Sequence, residues 1–416
     1  MDFTIAASGG DITGSALGAL LNANNVEVHT AAGADTAIDR YGTVGTAGNI
    51  NVNDNVAWST NTLTLTASND ININGVMTAT NASLVLAPTS GKVNVGLSSS
   101  GFTGRVDFFQ ANGSPRAGAG FLTIGGAGYT VITALGVFAD ATGGVNQTLQ
   151  GMARAANLAG KFARGSDIDA SATSGSDWLG FFNYFQGFLP VGTDVAVPGT
   201  SFTGVFDGLG HAVRNITINR PMYSRGTGLF GYLATPATVR NVGMAGGSIT
   251  GMQYVGGLVG YSNHGAVSNA YASLPVAGPA GYVGGLVGWN DHTSITIAYA
   301  TGNVTSTGGD EVGGLVGHDD TGTYSKVYAT GIVNGRQYVG GLLGTTMSAT
   351  SINNAYATGD VTSSWQVAGG LVGLEQPLAT ITNTYATGTV TAATGGTFGG
   401  LVGSKTGGSV TNSLYD

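Results

Sequence analysis

From residue 254 to the end of the chain, short runs of alternating apolar and polar positions return at a steady interval. Each is introduced by one phrase, Gly256-Gly257-Leu258-Val259-Gly260. The phrase recurs from Gly284, Gly313, Gly340, Gly369 and Gly399, with first glycines 28, 29, 27, 29 and 30 residues apart. A degenerate forerunner, Gly228-Leu229-Phe230-Gly231, stands one period earlier. A second phrase keeps the same interval: Tyr299-Ala300-Thr301-Gly302 and its copies from Tyr328, Tyr356 and Tyr385, with Tyr271-Ala272-Ser273 as a weaker one. Repetition at this period predicts stacked units, each in contact only with its neighbours. Residues 254–281 supply three short apolar runs and three polar corners, enough for one turn of a triangular coil. Coils of that kind stack about 4.8 Å apart, so equivalent residues fall above one another. Leu258, Leu286, Leu315, Leu342, Leu371 and Leu401 are then an inside column.

The first hundred residues follow a shorter beat. Asn49-Ile50-Asn51-Val52 matches Asp70-Ile71-Asn72-Ile73 at 21 residues, Val56 matches Val76 at 20, and Leu63-Thr64-Leu65 matches Leu84-Val85-Leu86 at 21. Apolar residues two apart with no helix between the runs describe strands buried on one face. Asn, Ser and Thr fill the outward positions and corners, where they satisfy backbone groups. The spacing of Leu17, Leu20 and Leu21 behind Ser15 predicts one short helix over 15–23, and Leu149, Met152 and Ala156 predict a second over 148–158. The chain thus divides into rungs of about 21 residues (1–100), an irregular β segment (101–200) and coils of 28–30 residues (201–416).

Composition separates this pattern from disorder. Glycine is 73 of 416 residues and charged residues are 9%, but 42% are hydrophobic and arrive in regular positions, so a core forms. The net charge of −8 argues against a nucleic-acid partner, which requires clustered basic residues. With no cysteine, disulfides and Cys-based metal sites are excluded. No apolar run of about 18 residues predicts a membrane span. The start, Met1-Asp2-Phe3-Thr4-Ile5, lacks a secretory signal, and the chain reads as an internal or carboxy-terminal segment of a longer one.

Several blocks resemble, in order, those of large secreted bacterial adhesins of the filamentous-haemagglutinin type, exported by two-partner secretion, together with the GLUG repeat such proteins carry. The blocks are Asp11 to Thr30, the rungs ending at Leu86, Gly101 to Phe108, Tyr129 to Gly136, Asn157 to Gly160 with Gly165 to Ser171, and Phe202 to His211. The resemblance implies an all-β chain, a right-handed parallel β-helix with short helices and loop insertions, placed outside the cell. It implies attachment rather than catalysis, a host or surface receptor such as a glycan as partner, and an outer-membrane transporter for export.

Candidate chemistry is sparse. Six aromatics lie in the insert from Trp178 to Phe188; Trp178, Phe181, Phe182, Tyr184 and Phe185 are candidate ligand contacts, with packing as a flap over the coil as the structural alternative. The corners after three consecutive phrases carry Asn263-His264, Asn290-Asp291-His292 and His318-Asp319-Asp320. Asp291, Asp319 and Asp320, with Asp310 and Glu311, are candidate oxygen ligands for Ca²⁺; the alternative is a solvated acidic corner. Asp167 and Asp169 near Arg164 admit either a carboxylate pair or corner residues bonding backbone amides, and His211 in its glycine-rich turn reads as structural. Asn269, Asn354, Asn383 and Asn412, two positions before the tyrosines, fit an inward asparagine stack; the alternative is that both columns face outward as a sugar-binding strip.

Overall fold

The computed structural model describes residues 2–30, 40–42, 48–143, 147–179, 186–193, 199–222 and 226–416. The fold is a β-solenoid of about 11 stacked parallel coils with one α-helix among the described residues, in agreement with the repeat analysis. The coils belong to two compact units, one made of 1–134, 161–168 and 206–212, the other of 135–160, 169–205 and 213–416.

In the first unit three parallel sheets follow the 21-residue beat. Ile50 pairs with Ile71 and Leu63 with Leu84, as the sequence spacing requires. Val56, however, pairs with Met77 rather than Val76, because all three strands of this rung keep the same 21-residue offset to the next. Outward asparagines bond their copies: Asn72 donates to Asn51 at 2.8 Å and Asn94 to Asn72 at 3.0 Å. The helix spans Gly14–Ala23 and buries Leu17 and Leu21; its cap is Thr13, whose hydroxyl accepts from the Ala16 amide, and not Ser15.

The second unit contains the long repeats. The expected helix over 148–158 is replaced by two 3₁₀ turns, Gln150–Ala153 and Ala155–Asn157. Leu149 and Met152 are buried as anticipated, but Gly151 weakens a regular helix, and the Gln150 side chain bonds the Leu189 backbone instead. Each long repeat has four strands rather than three, exemplified by Tyr254–Gly256, Val259–Asn263, Ala266–Ser273 and Val276–Gly278. The last two share one sheet, so the coil still has three faces.

Leu258, Leu286, Leu315, Leu342 and Leu371 are all fully buried, and each backbone amide bonds the leucine carbonyl of the next coil at 2.8–2.9 Å. Four residues on from each leucine, a second interior column is polar: Ser262, Asn290, Asp319, Thr346 and Glu375 are register partners in successive coils and all fully buried.

The asparagine column is not an inward stack. Asn241, Asn269, Ile297, Lys326, Asn354, Asn383 and Asn412 all have φ between 48° and 56°, the left-handed conformation that bends the strand. Asparagine recurs there because it tolerates that backbone better than most residues. Asn269 is buried and bonds Asn241 at 2.8 Å, but Ile297, Lys326, Asn354 and Asn383 are exposed. The tyrosines two residues on form a flat ladder along the outer side of the sheet. Ring centroids from Tyr271 through Tyr299, Tyr328 and Tyr356 to Tyr385 are 5.1, 4.7, 4.6 and 4.9 Å apart, with planes within 9° of parallel.

Candidate functional site

The residues flanking the glycine phrase build a surface where aromatic rings and carboxylates interleave. Tyr254, Tyr282 and Glu311 are register partners on the strand entering the phrase; Tyr261, Trp289 and His318 are register partners on the strand leaving it. The tight glycine corner brings the two columns against each other. Tyr254 stacks on Tyr282 at 5.7 Å, and Trp289 meets Tyr254, Tyr261 and Tyr282 edge-on at 5.1, 4.9 and 5.2 Å. Edge-to-face packing of this kind adds to area burial. Tyr254, Tyr282 and Trp289 remain half-buried, with Asp291, Glu311 and Asp320 around them.

Each carboxylate on this platform has a partner. Asp291 accepts from the Tyr261 hydroxyl at 2.8 Å and from Asn263 at 3.2 Å; Asp320 accepts from the Trp289 indole at 2.8 Å. His318 lies on the Tyr282 ring at 4.6 Å, with its Nδ1 on Glu311 and its Nε2 3.3 Å from Asp320. Burial alone lowers its pKa, but the hydrogen bonds and charges of Asp320 and Glu311 outweigh burial and push it up to about 9. Burial raises the Asp320 carboxyl, and bonds from His318 and Trp289 bring it back below the ordinary range. His318 is therefore an imidazolium at neutral pH, held against an aromatic face.

A pH prediction follows from the sign of that shift. The folded state holds the His318 proton more tightly than the unfolded chain does. Its contribution is thus complete below the ordinary value of 6.5 and is lost as pH rises through about 9. Denaturant titrations across this window should show a decline of up to about 3 kcal/mol in the parent protein, absent in His318→Gln. Equal slopes in the two proteins would show that His318 is not the titrating group.

The aspartates proposed as calcium ligands do not form a set. Asp319 is fully buried in the polar column, because strand Val316–Asp319 reaches as far as this residue and places it in register with the buried Asn290. It accepts from Asn290 at 2.7 Å, the Gly322 amide at 3.0 Å, and the Tyr324 and Thr350 hydroxyls. Burial raises its pKa. Asp310 is paired with Arg336 at 2.6 Å. Asp291 and Asp320 alone of the three candidates reach the surface.

Trp178 is a core residue, 4% exposed, stacked on Phe188 at 6.4 Å and meeting Phe138 edge-on. It presents no free face, so packing is its role. Phe181, Phe182, Tyr184 and Phe185 lie outside the described residues. The aspartates near Arg164 bond the chain around them. Asp167 accepts from the Ala212 amide and lies 3.2 Å from His211, and Asp169 accepts from Ser171 and Asn215. His211 is buried, with its other nitrogen 2.8 Å from the Val106 carbonyl.

The sequence signature of the GLUG motif matches residues 279–305 and 335–362, which hold two of the glycine phrases with the strands around them. The chain carries GLUG repeats. Over 115 residues, 27% of its length, it is 39% identical to halomucin of Haloquadratum walsbyi, a match that takes in 1% of halomucin. Among solved structures, a candidate immunoglobulin A1 protease from Bacteroides ovatus is similar over 61% of this chain and 67% of that one, at 20% identity and a TM-score of 0.37. Of the platform residues, Tyr282 and Trp289 fall within the first matched stretch and Tyr254 and Tyr261 precede it; none of the four stands out in the sequence as a site. Their signal is positional: an aromatic two residues before the phrase, or one directly after it.

Proposed function

We propose that the chain is a segment of an extracellular surface protein whose GLUG unit mediates attachment, with the platform of Tyr254, Tyr282 and Trp289 as its contact surface for a glycan or a surface receptor. The observation that carries this reading is the half-exposed aromatic cluster fringed by Asp291, Glu311 and Asp320, built on a stack whose leucine core does not need it. Aromatic faces take the apolar side of a sugar ring, and carboxylates accept from its hydroxyls. The GLUG match and the ordered resemblance to filamentous-haemagglutinin-type adhesins support the extracellular assignment, with an outer-membrane transporter as export partner.

A polysaccharide-active enzyme is the competing reading. Such an enzyme needs two carboxylates poised across the scissile bond. The two histidines described above, His211 and His318, are instead buried and held to their carboxylates by hydrogen bonds, which favours attachment. No helix among the described residues is long and apolar enough to cross a membrane.

The test is a glycan and matrix-protein array probed with the parent chain, Trp289→Ala and Tyr282→Ala, with circular dichroism confirming that each is folded. Each substitution should weaken the strongest binding at least about tenfold, about 1.4 kcal/mol. Binding unchanged in both variants would move the contact elsewhere, and no binding by the parent would leave a passive stalk.

A further inference from the structure

We propose that His264, Asp291 and His292 form a binding site for a divalent cation of the imidazole-preferring class, with zinc as its representative. His264 and His292 occupy the same corner of consecutive coils, with φ of 55° and 56°, and both are exposed. Their rings lie 4.5 Å apart and within 4° of parallel. One donor atom from each ring and one Asp291 oxygen lie within 4.8 Å of one another. A tetrahedral zinc site needs its N and O donors about 2.0–2.2 Å from the metal, so small rotations of exposed side chains close this set.

The surroundings supply orientation. In each coil the ring Nδ1 faces the side-chain oxygen of the residue before it: Asn263 Oδ1 at 2.5 Å from His264, and Asp291 Oδ1 beside His292. Stacking superimposes the two pairs and places two nitrogens and two oxygens along one edge. Asp291 is further fixed through its other oxygen by the Tyr261 hydroxyl and the Asn263 amide, the kind of outer partner that orients metal-binding carboxylates. The stacking of coils does not itself require the pair, since Ala234 is the register partner of Asn263 in the preceding coil. Two imidazoles with a carboxylate suit zinc and its neighbours, whereas Ca²⁺ and Mg²⁺ prefer oxygen donors throughout. The site stands independently of the attachment reading, because its test involves no receptor.

The experiment titrates Zn²⁺ by calorimetry into the full chain, prepared without an affinity tag of histidines and stripped by a chelator. One saturable site is expected, unaffected by excess Ca²⁺ or Mg²⁺. His264→Asn and His292→Asn keep a residue tolerant of positive φ, and Asp291→Asn keeps shape while removing charge. Each should weaken binding at least about tenfold. Co²⁺ should give tetrahedral visible bands that the His292→Asn protein lacks. The absence of saturable binding, unchanged affinity in all three variants, or equal competition by Ca²⁺ would each overturn the assignment.

Discussion

Leu315→Asp is expected to unfold the stack of long coils in a single cooperative transition, with a loss of more than about 5 kcal/mol. Leu315 is fully buried between Leu286 and Leu342, and its neighbours in the coils above and below bond it through the backbone. Removing the side chain alone costs about 2–5 kcal/mol. A carboxylate at the same place adds an unpaired buried charge. Each coil is stabilised by the two beside it, so a defect at mid-stack weakens two interfaces at once. Thermal and denaturant melts followed by circular dichroism decide the matter: a variant that melts with its parent would contradict the inside leucine column.

Gly314→Ala should be nearly as damaging, although it adds one methyl group. A Cβ at Gly314 would stand 2.0 Å from the Gly341 carbonyl oxygen and 2.9 Å from the Ala329 Cβ. The obstacle is backbone of the next coil, which cannot swing aside as a flexible side chain would. The same clash, with the following coil's carbonyl at 2.1, 2.1 and 1.9 Å, awaits a methyl at Gly285, Gly341 and Gly370. The coils must part or tilt, at a cost of about 3 kcal/mol or more. Gly143, with open space around its would-be Cβ, is the control, and Gly143→Ala should change stability by no more than about 0.5 kcal/mol. Equal melting of the two variants would mean that the stack is looser than its glycines imply.

Stacking made the architecture legible. When every coil repeats its predecessor, recurrence in sequence becomes adjacency in space, and the column through Leu258 and Leu286 could be read without coordinates. What remained hidden depended on local backbone conformation. The asparagines beside the tyrosine ladder recur for their tolerance of positive φ, which periodicity does not distinguish from side-chain stacking. His318-Asp319-Asp320 looks like an acidic corner, yet the strand extends to Asp319 before the chain turns, and that middle residue points inward. The aromatic platform was overlooked for a related reason: its members sit on two strands, and only the glycine corner folds one against the other. A count of aromatics favours the insert at 178–188, whose one described candidate, Trp178, is spent on packing.

Near-identical coils create a hazard in assembly, because a segment docked one level too high would find the same leucines waiting for it. The interior polar column answers this with a different residue at every storey: Ser262, Asn290, Asp319, Thr346, Glu375. Misplacement by one level would strand Asp319 without Asn290 and Thr350, its partners in the coils on either side, a penalty no leucine match could offset. Each turn thereby carries its own address, and the order of the stack is written in the few places where the copies disagree.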